Sequence, residues 1–166
     1  TVYETPADLA IEPMAEDNQG TKCYSVADII SDSVSGSTVT LLKDATWNQT
    51  WNLANKKLTF DLSGYTLTLT NYFNLNSGAD LTVKGGTWSV QTSSNVFRIN
   101  SGAKLTVESG SFSKTSTWSN YLFYLQGGEL EITGGTFSWS YYQIIYGESY
   151  SSNKLTISGG DFTANG

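Results

Sequence analysis

Apolar and polar residues alternate along this chain in short bursts, and the bursts recur. The phrase LTFDLSGYT begins at Leu58, followed by LTVKGGTWS from Leu81, LTVESGSFS from Leu105, LEITGGTFS from Leu130 and LTISGGDFT from Leu155. The leading leucines stand 23, 24, 25 and 25 residues apart. Each copy has apolar residues at its first and third positions, then a Gly or Ser-Gly break. An aromatic ring stands eighth: Tyr65, Trp88, Phe112, Phe137 or Phe162. Period-two alternation ended by glycine predicts a short strand and a turn. A second apolar burst follows in every complete coil, at Phe73 to Leu75, Val96 to Ile99, Leu122 to Leu125 and Ile144 to Tyr146. A degenerate earlier copy, VTLLKDATW, begins at Val39.

One coil of this kind cannot bury its inner face, whereas stacked coils share a core and pair their strands with one another. The fold predicted is all-β: a single-stranded right-handed parallel β-helix, a solenoid of about five coils, its hand following from the chirality of parallel connections. The eighth-position rings are then expected to form an interior aromatic ladder. Charges support the same alignment. The residues before the leading leucines are Lys57, Asp80, Lys104, Glu129 and Lys154, alternating in sign at every coil. The fourth positions Asp61, Lys84 and Glu108 alternate too. Coils stack about 4.8 Å apart, where opposite charges stabilise and like charges destabilise.

The flanks read differently. Residues 1–24, with Pro6 and Pro13, are expected to be an extended lead-in, and residues 25–38 a capping helix and turn. Val26, Ile29, Ile30 and Val34 share a helical face, with Ser25 as N-cap and Gly36 past the end. The β-helix takes residues 39–166. The chain opens at Thr1 without an initiator methionine, as a trimmed protein or a fragment would. It stops at Gly166, 12 residues into a coil, so either the parent protein continues or the open coil self-associates.

Composition narrows the chemistry. The net charge of −6 and the absence of a basic run argue against nucleic acid and anionic membranes as partners. No apolar stretch approaches the length of a membrane span. There is no histidine, which removes the commonest general base, metal ligand and nucleophile partner. Cys23 is alone and reads as a small buried hydrophobe. Neither a metal-ligand set nor a cofactor motif is present, so no cofactor is expected. Thr59, Thr82, Thr106 and Thr156 begin a threonine rank of the kind an ice-binding face uses, but Glu131 interrupts it.

The stretches STVTLLKDATW and KKLTFDLSGYTLT, with the LTVKGGTWS, LEITGGTFS and LTISGGDFT copies, resemble right-handed parallel β-helix repeat domains of the pectate-lyase-like superfamily. Those domains occur in secreted and cell-surface proteins of Gram-positive, often gut-dwelling, bacteria. The resemblance covers roughly Tyr24 to Gly166. It implies a right-handed helix and an extracellular or cell-wall-attached location. It does not single out an activity, since the superfamily holds lyases, hydrolases, adhesins and plain stalks. No cluster of paired acids matches an enzyme site, and Arg98, the one arginine, has no second cation beside it.

Two kinds of candidate remain. Asp61 and Glu108 share an outward column two coils apart, about 9.6 Å by strand spacing, which is near the separation of an inverting glycosidase pair. Lys84 lies between them, so a charge ladder explains all three. Glu129 and Glu131 likewise flank Leu130 within the ladder. The second kind is aromatic. The chain has five Trp and ten Tyr, many of them in the polar linkers KTSTWSNY and SWSYYQ and in the corner GESYSSNK. Trp118, Tyr121, Trp139, Tyr141, Tyr142 and Tyr150 among Ser, Thr and Asn suit sugar recognition, with rings packing on pyranose CH groups and short polar chains bonding hydroxyls. The alternative for each ring is that it covers a coil corner, Trp139 turning inward at the place matching Val90. The expected role is a non-catalytic module binding a glycan or host surface ligand. The alternatives are a structural or adhesive stalk and a truncated polysaccharide lyase or hydrolase.

Overall fold

The computed structural model describes residues 11–114 and 117–165, with side chains through Thr163. It is almost entirely β, a solenoid of about five turns. Two short strands, β1 (Ala15–Asp17) and β2 (Lys22–Cys23), and a helix, α1 (Val26–Ser31), precede the coils. The first coil is β3 (Thr38–Leu41), β4 (Ala45–Trp47) and β5 (Trp51–Leu53). The second is β6 (Lys57–Asp61), β7 (Thr66–Leu69) and β8 (Phe73–Leu75). Then come β9 (Asp80–Lys84), β10 (Thr87–Val90) and β11 (Phe97–Asn100). The fourth holds β12 (Lys104–Val107), β13 (Ser111–Lys114) and β14 (Phe123–Gln126), and the fifth β15 (Glu129–Ile132), β16 (Thr136–Ser140) and β17 (Ile145–Gly147). The chain closes with β18 (Lys154–Ile157) and β19 (Asp161–Asn165).

Corresponding strands of successive coils pair in parallel, giving three sheets around one core. The repeat phrase is therefore two strands, not one, because its glycines turn a sharp corner. At Gly86 the backbone has φ +56°, and a Cβ there would overlap the Tyr65 carbonyl oxygen and Leu62. Only glycine fits.

The leading leucines stack in register from Leu58 through Leu81, Leu105 and Leu130 to Leu155. The ring ladder is present from Trp88 onward. Trp88 stacks on Phe112 at 5.3 Å, Phe112 on Phe137 at 5.1 Å, and Phe137 on Phe162 at 4.6 Å, but Phe162 is exposed, so the ladder is interior only through Phe137. A second interior ladder, Phe73, Phe97 and Phe123, stacks at 4.8 and 5.7 Å on the third sheet.

Tyr65 does not join the ladder. It is 40% exposed, and Leu67 takes the place opposite Trp88. Its corner is longer, passing through Ser63 and Gly64 at positive φ, which pushes Tyr65 outward. The earliest copy is also displaced: Val39 lies opposite Phe60 rather than Leu58.

The charge ladder is real. Lys57 pairs with Asp80 at 3.3 Å, Lys104 with Glu129 at 3.5 Å and Glu131 at 2.8 Å, and Lys154 with Glu129 at 3.8 Å. In the next column Lys84 holds Asp61 at 3.5 Å. The Asp61 carboxylate also accepts the Ser63 N–H at 2.8 Å, so the acid considered above for hydrolysis is engaged twice.

Residues 1–10 of the lead-in, Pro6 included, lie outside the described residues. From Met14 the lead-in is not loose. β1 runs antiparallel to β3, and β2 antiparallel to β1, so the first sheet ends in a two-residue strand. In α1, Ser25 is the N-cap and Asp28 completes a capping box. Val26 and Ile29 are buried. The helix stops at Ser31, earlier than the apolar spacing implies, and Val34 is left exposed beyond it. Cys23 is buried and free, as expected.

Candidate aromatic surface

The third sheet, β5, β8, β11, β14 and β17, carries the surface with the most functional character. Phe123 and Leu125 point inward, so strand parity turns Tyr124 out, and likewise Tyr146 on the next coil. Tyr121, just before β14, joins them. Its ring lies parallel to that of Tyr124 (5.7 Å, 3°) and to that of Tyr146 (4.5 Å, 13°), while Tyr124 and Tyr146 stack at 5.8 Å. Tyr142 tilts against Tyr121 at 4.7 Å, and the Tyr121 hydroxyl donates to the Tyr142 hydroxyl at 3.2 Å.

Hydroxyl chemistry is tuned here. The Tyr124 hydroxyl donates to the Glu148 carboxylate, and that bond pushes its pKa up to about 12. The bond to Tyr142 does the same for Tyr121, also to about 12. Both phenols stay neutral donors far above physiological pH.

The linkers beside this cluster are stapled from within. Asn120 is buried; its side-chain amide donates to the carbonyls of Thr92 and Ser94 at 3.0 and 2.8 Å. Its backbone carbonyl accepts the Trp139 indole N–H at 3.1 Å. Lys114 donates to the carbonyls of Trp118 and Ser140 and lies 5.1 Å from the Trp139 ring centre. Burial depresses the Lys114 pKa. The Trp118 backbone is thereby held while its ring stays 61% exposed.

Of the six rings singled out by sequence, the structure brings Tyr121 and Tyr142 together. Trp118, Tyr141 and Tyr150 are exposed but make no ring contact among the described residues. Trp139 is corrected: it is 0% exposed, turned inward beside the core rings and fixed by Asn120, so it cannot offer a face to a ligand. Tyr124 and Tyr146 were missed, although the outward parity of FYLQ and IYG marks them. The idea of flat faces for sugars also changes. Tyr121, Tyr124 and Tyr146 stack on one another, so they offer mainly edges and hydroxyls, and open faces are left to isolated rings such as Trp118.

The rest of the sheet's outer side is amide-rich. Asn74 donates to Asn52 at 3.0 Å, and Asn100 donates to Asn74 at 2.8 Å and to Asn76 at 3.1 Å. Among the described residues no three His, Cys, Asp or Glu converge as a metal site would require. A shallow notch of about 340 Å³ at the corner with the first sheet is lined by glycines and Ala103 as well as by Ser101, Lys104, Glu129, Ser152 and Lys154. The Glu129 carboxylate there is already paired with Lys104 and Lys154.

These features define a parallel β-solenoid with an aromatic and amide outer face. Comparison with protein families, with curated proteins and with solved structures finds no match for this chain.

Proposed function

We propose that this chain is a non-catalytic extracellular module, from a secreted or wall-attached bacterial protein, that binds carbohydrate through the outer side of its third sheet. The observation that carries the reading is the tyrosine cluster itself. Half-buried and exposed rings that stack on the outside of a rigid sheet, with an exposed Trp three residues before Tyr121, gain less for folding than core rings and present edges and hydroxyls for recognition. Phenol oxygens able to accept, asparagine amides and open ring faces match sugar hydroxyls and CH groups. Held on paired strands, they lose little entropy on binding, and affinities from micromolar to millimolar are the expected order for a shallow site.

A glycan array probed with the purified domain tests this. Specific retention of one glycan class, unaltered in length and lost in Trp118→Ala and Tyr142→Ala, supports the reading. A blank array sinks it. The adhesive-stalk reading is favoured by the unbroken stacking of one coil type. It predicts a blank array together with self-association or capture of a protein partner.

A further inference from the structure

The outward column of the third sheet reads Asn52, Asn74, Arg98, Tyr124 and Tyr146, one residue per coil in register. It runs along the solenoid axis for about 19 Å, four strand spacings. Arg98 is the chain's sole arginine, and its position is unusual. Its guanidinium carbon lies 3.9 Å from the centre of the Tyr72 ring, so one face of the cation is covered. The side chain makes no hydrogen bond and no ion pair among the described residues, and its Nε is buried without a partner. On the first sheet, by contrast, Lys57, Lys84, Lys104 and Lys154 are each paired with an acid. Arg98 is held in place by stacking, with its donors unspent.

The surroundings favour an anion. The chain carries −6 overall, yet the five strands of the third sheet contain no Asp or Glu. Glu148, which follows the last of them, is engaged by the Tyr124 hydroxyl. Beside Arg98 the side-chain carbonyls of Asn52, Asn74 and Asn76 each accept from an amide donor, which leaves N–H groups of Asn52 and Asn76 unpaired among the described residues. The face is therefore rich in donors and carries one unneutralised planar cation, an arrangement complementary to a carboxylate or sulfate.

We infer that Arg98 seats a carboxylate or sulfate group of the bound polysaccharide, which lies as an extended chain along the column from Asn52 to Tyr146. The inference rests on the glycan reading above and deepens it.

Affinity electrophoresis of the whole chain in gels containing dextran sulfate, hyaluronan or unmodified dextran tests it. Retardation by dextran sulfate, hyaluronan or both, but not by dextran, is expected, and it should fade as salt rises. Retardation by dextran sulfate alone assigns the group as sulfate, and by hyaluronan alone as carboxylate. Arg98→Gln should weaken binding about tenfold or more, and Arg98→Lys should recover only part, because an ammonium cannot form the fork. If Arg98→Gln does not fold, Arg98→Lys and the salt dependence of the unaltered chain decide the matter. Equal retardation by neutral dextran, or salt-independent binding unaffected in Arg98→Lys, overturns the inference and leaves the glycan reading standing. Should the array retain only neutral glycans, the acidic ligand alone is refuted, whereas a blank array removes both.

Discussion

Parallel rings stack both inside and outside this molecule. Within the core, Trp88, Phe112 and Phe137 stack at 5.1 to 5.3 Å with no exposure. On the surface, Tyr121, Tyr124 and Tyr146 stack at 4.5 to 5.8 Å. The geometry is alike, but the physics is not. Each core ring removes a large apolar area from water, worth a few kcal/mol. A surface stack gains about 0.5–1.5 kcal/mol per ring pair beyond area burial and leaves the outer edges wet. Interior repetition is thus explained by folding alone, whereas the exterior stack needs another reason to exist.

That contrast can be broken by substitution. Phe112→Ala opens a cavity between two stacked neighbours and should cost about 3–5 kcal/mol, read from the urea midpoint. Trp139→Ala should cost a similar amount, about 3–5 kcal/mol, and would also leave the Asn120 carbonyl unpaired. A negligible change in either would mean that inside and outside are inverted. Lys104→Glu places a third acid against Glu129 and Glu131. Because these groups are about one-third exposed, a loss of about 1 kcal/mol is expected, shrinking at high salt. At the weak end, Tyr142→Ala gives up one ring pair, with Tyr121, and should cost about 0.5–1.5 kcal/mol.

Alkaline titration sharpens the same comparison. Tyr121 and Tyr124 should ionise late, near pH 12, when followed by ultraviolet absorbance, and Tyr124 should return toward pH 10 in Glu148→Gln. The folded pKa is raised, so the stabilisation from the Tyr124 bond is complete below pH 10 and is lost as pH climbs through about 12. A single tyrosine transition near 10 for every phenol would show the hydroxyl bonds to be absent.

The fold was legible because repetition multiplies weak signals. Leucines at constant spacing and alternating charges in five successive coils point to a single alignment, which the Lys57–Asp80 and Lys104–Glu129 pairs bear out. Legibility failed where coils differ in length. The corner at Ser63 and Gly64 moved Tyr65 out of the core, and no count of spacing between leucines reveals which side of a corner absorbs extra residues. The surface was half legible. Exposed rings in linkers could be seen, but the linker's polar composition left Trp139 open between a ligand-facing place and the inward one matching Val90, which the strand's alternation decides. Tyr124 and Tyr146 were overlooked because an apolar burst draws attention to its buried parity. The stacking of Arg98 on Tyr72 joins a strand residue to a linker of the preceding coil, a relation visible only in three dimensions.

The central claim is that the outer tyrosine surface serves binding and not folding. Its most direct test pairs two readouts on the double variant Trp118→Ala/Tyr142→Ala, which gives up a single ring pair: retardation by the array-identified glycan in affinity electrophoresis, and the urea midpoint. The account predicts that retardation disappears while stability falls by no more than about 1–2 kcal/mol. Retardation that survives, or a domain that unfolds, would contradict it.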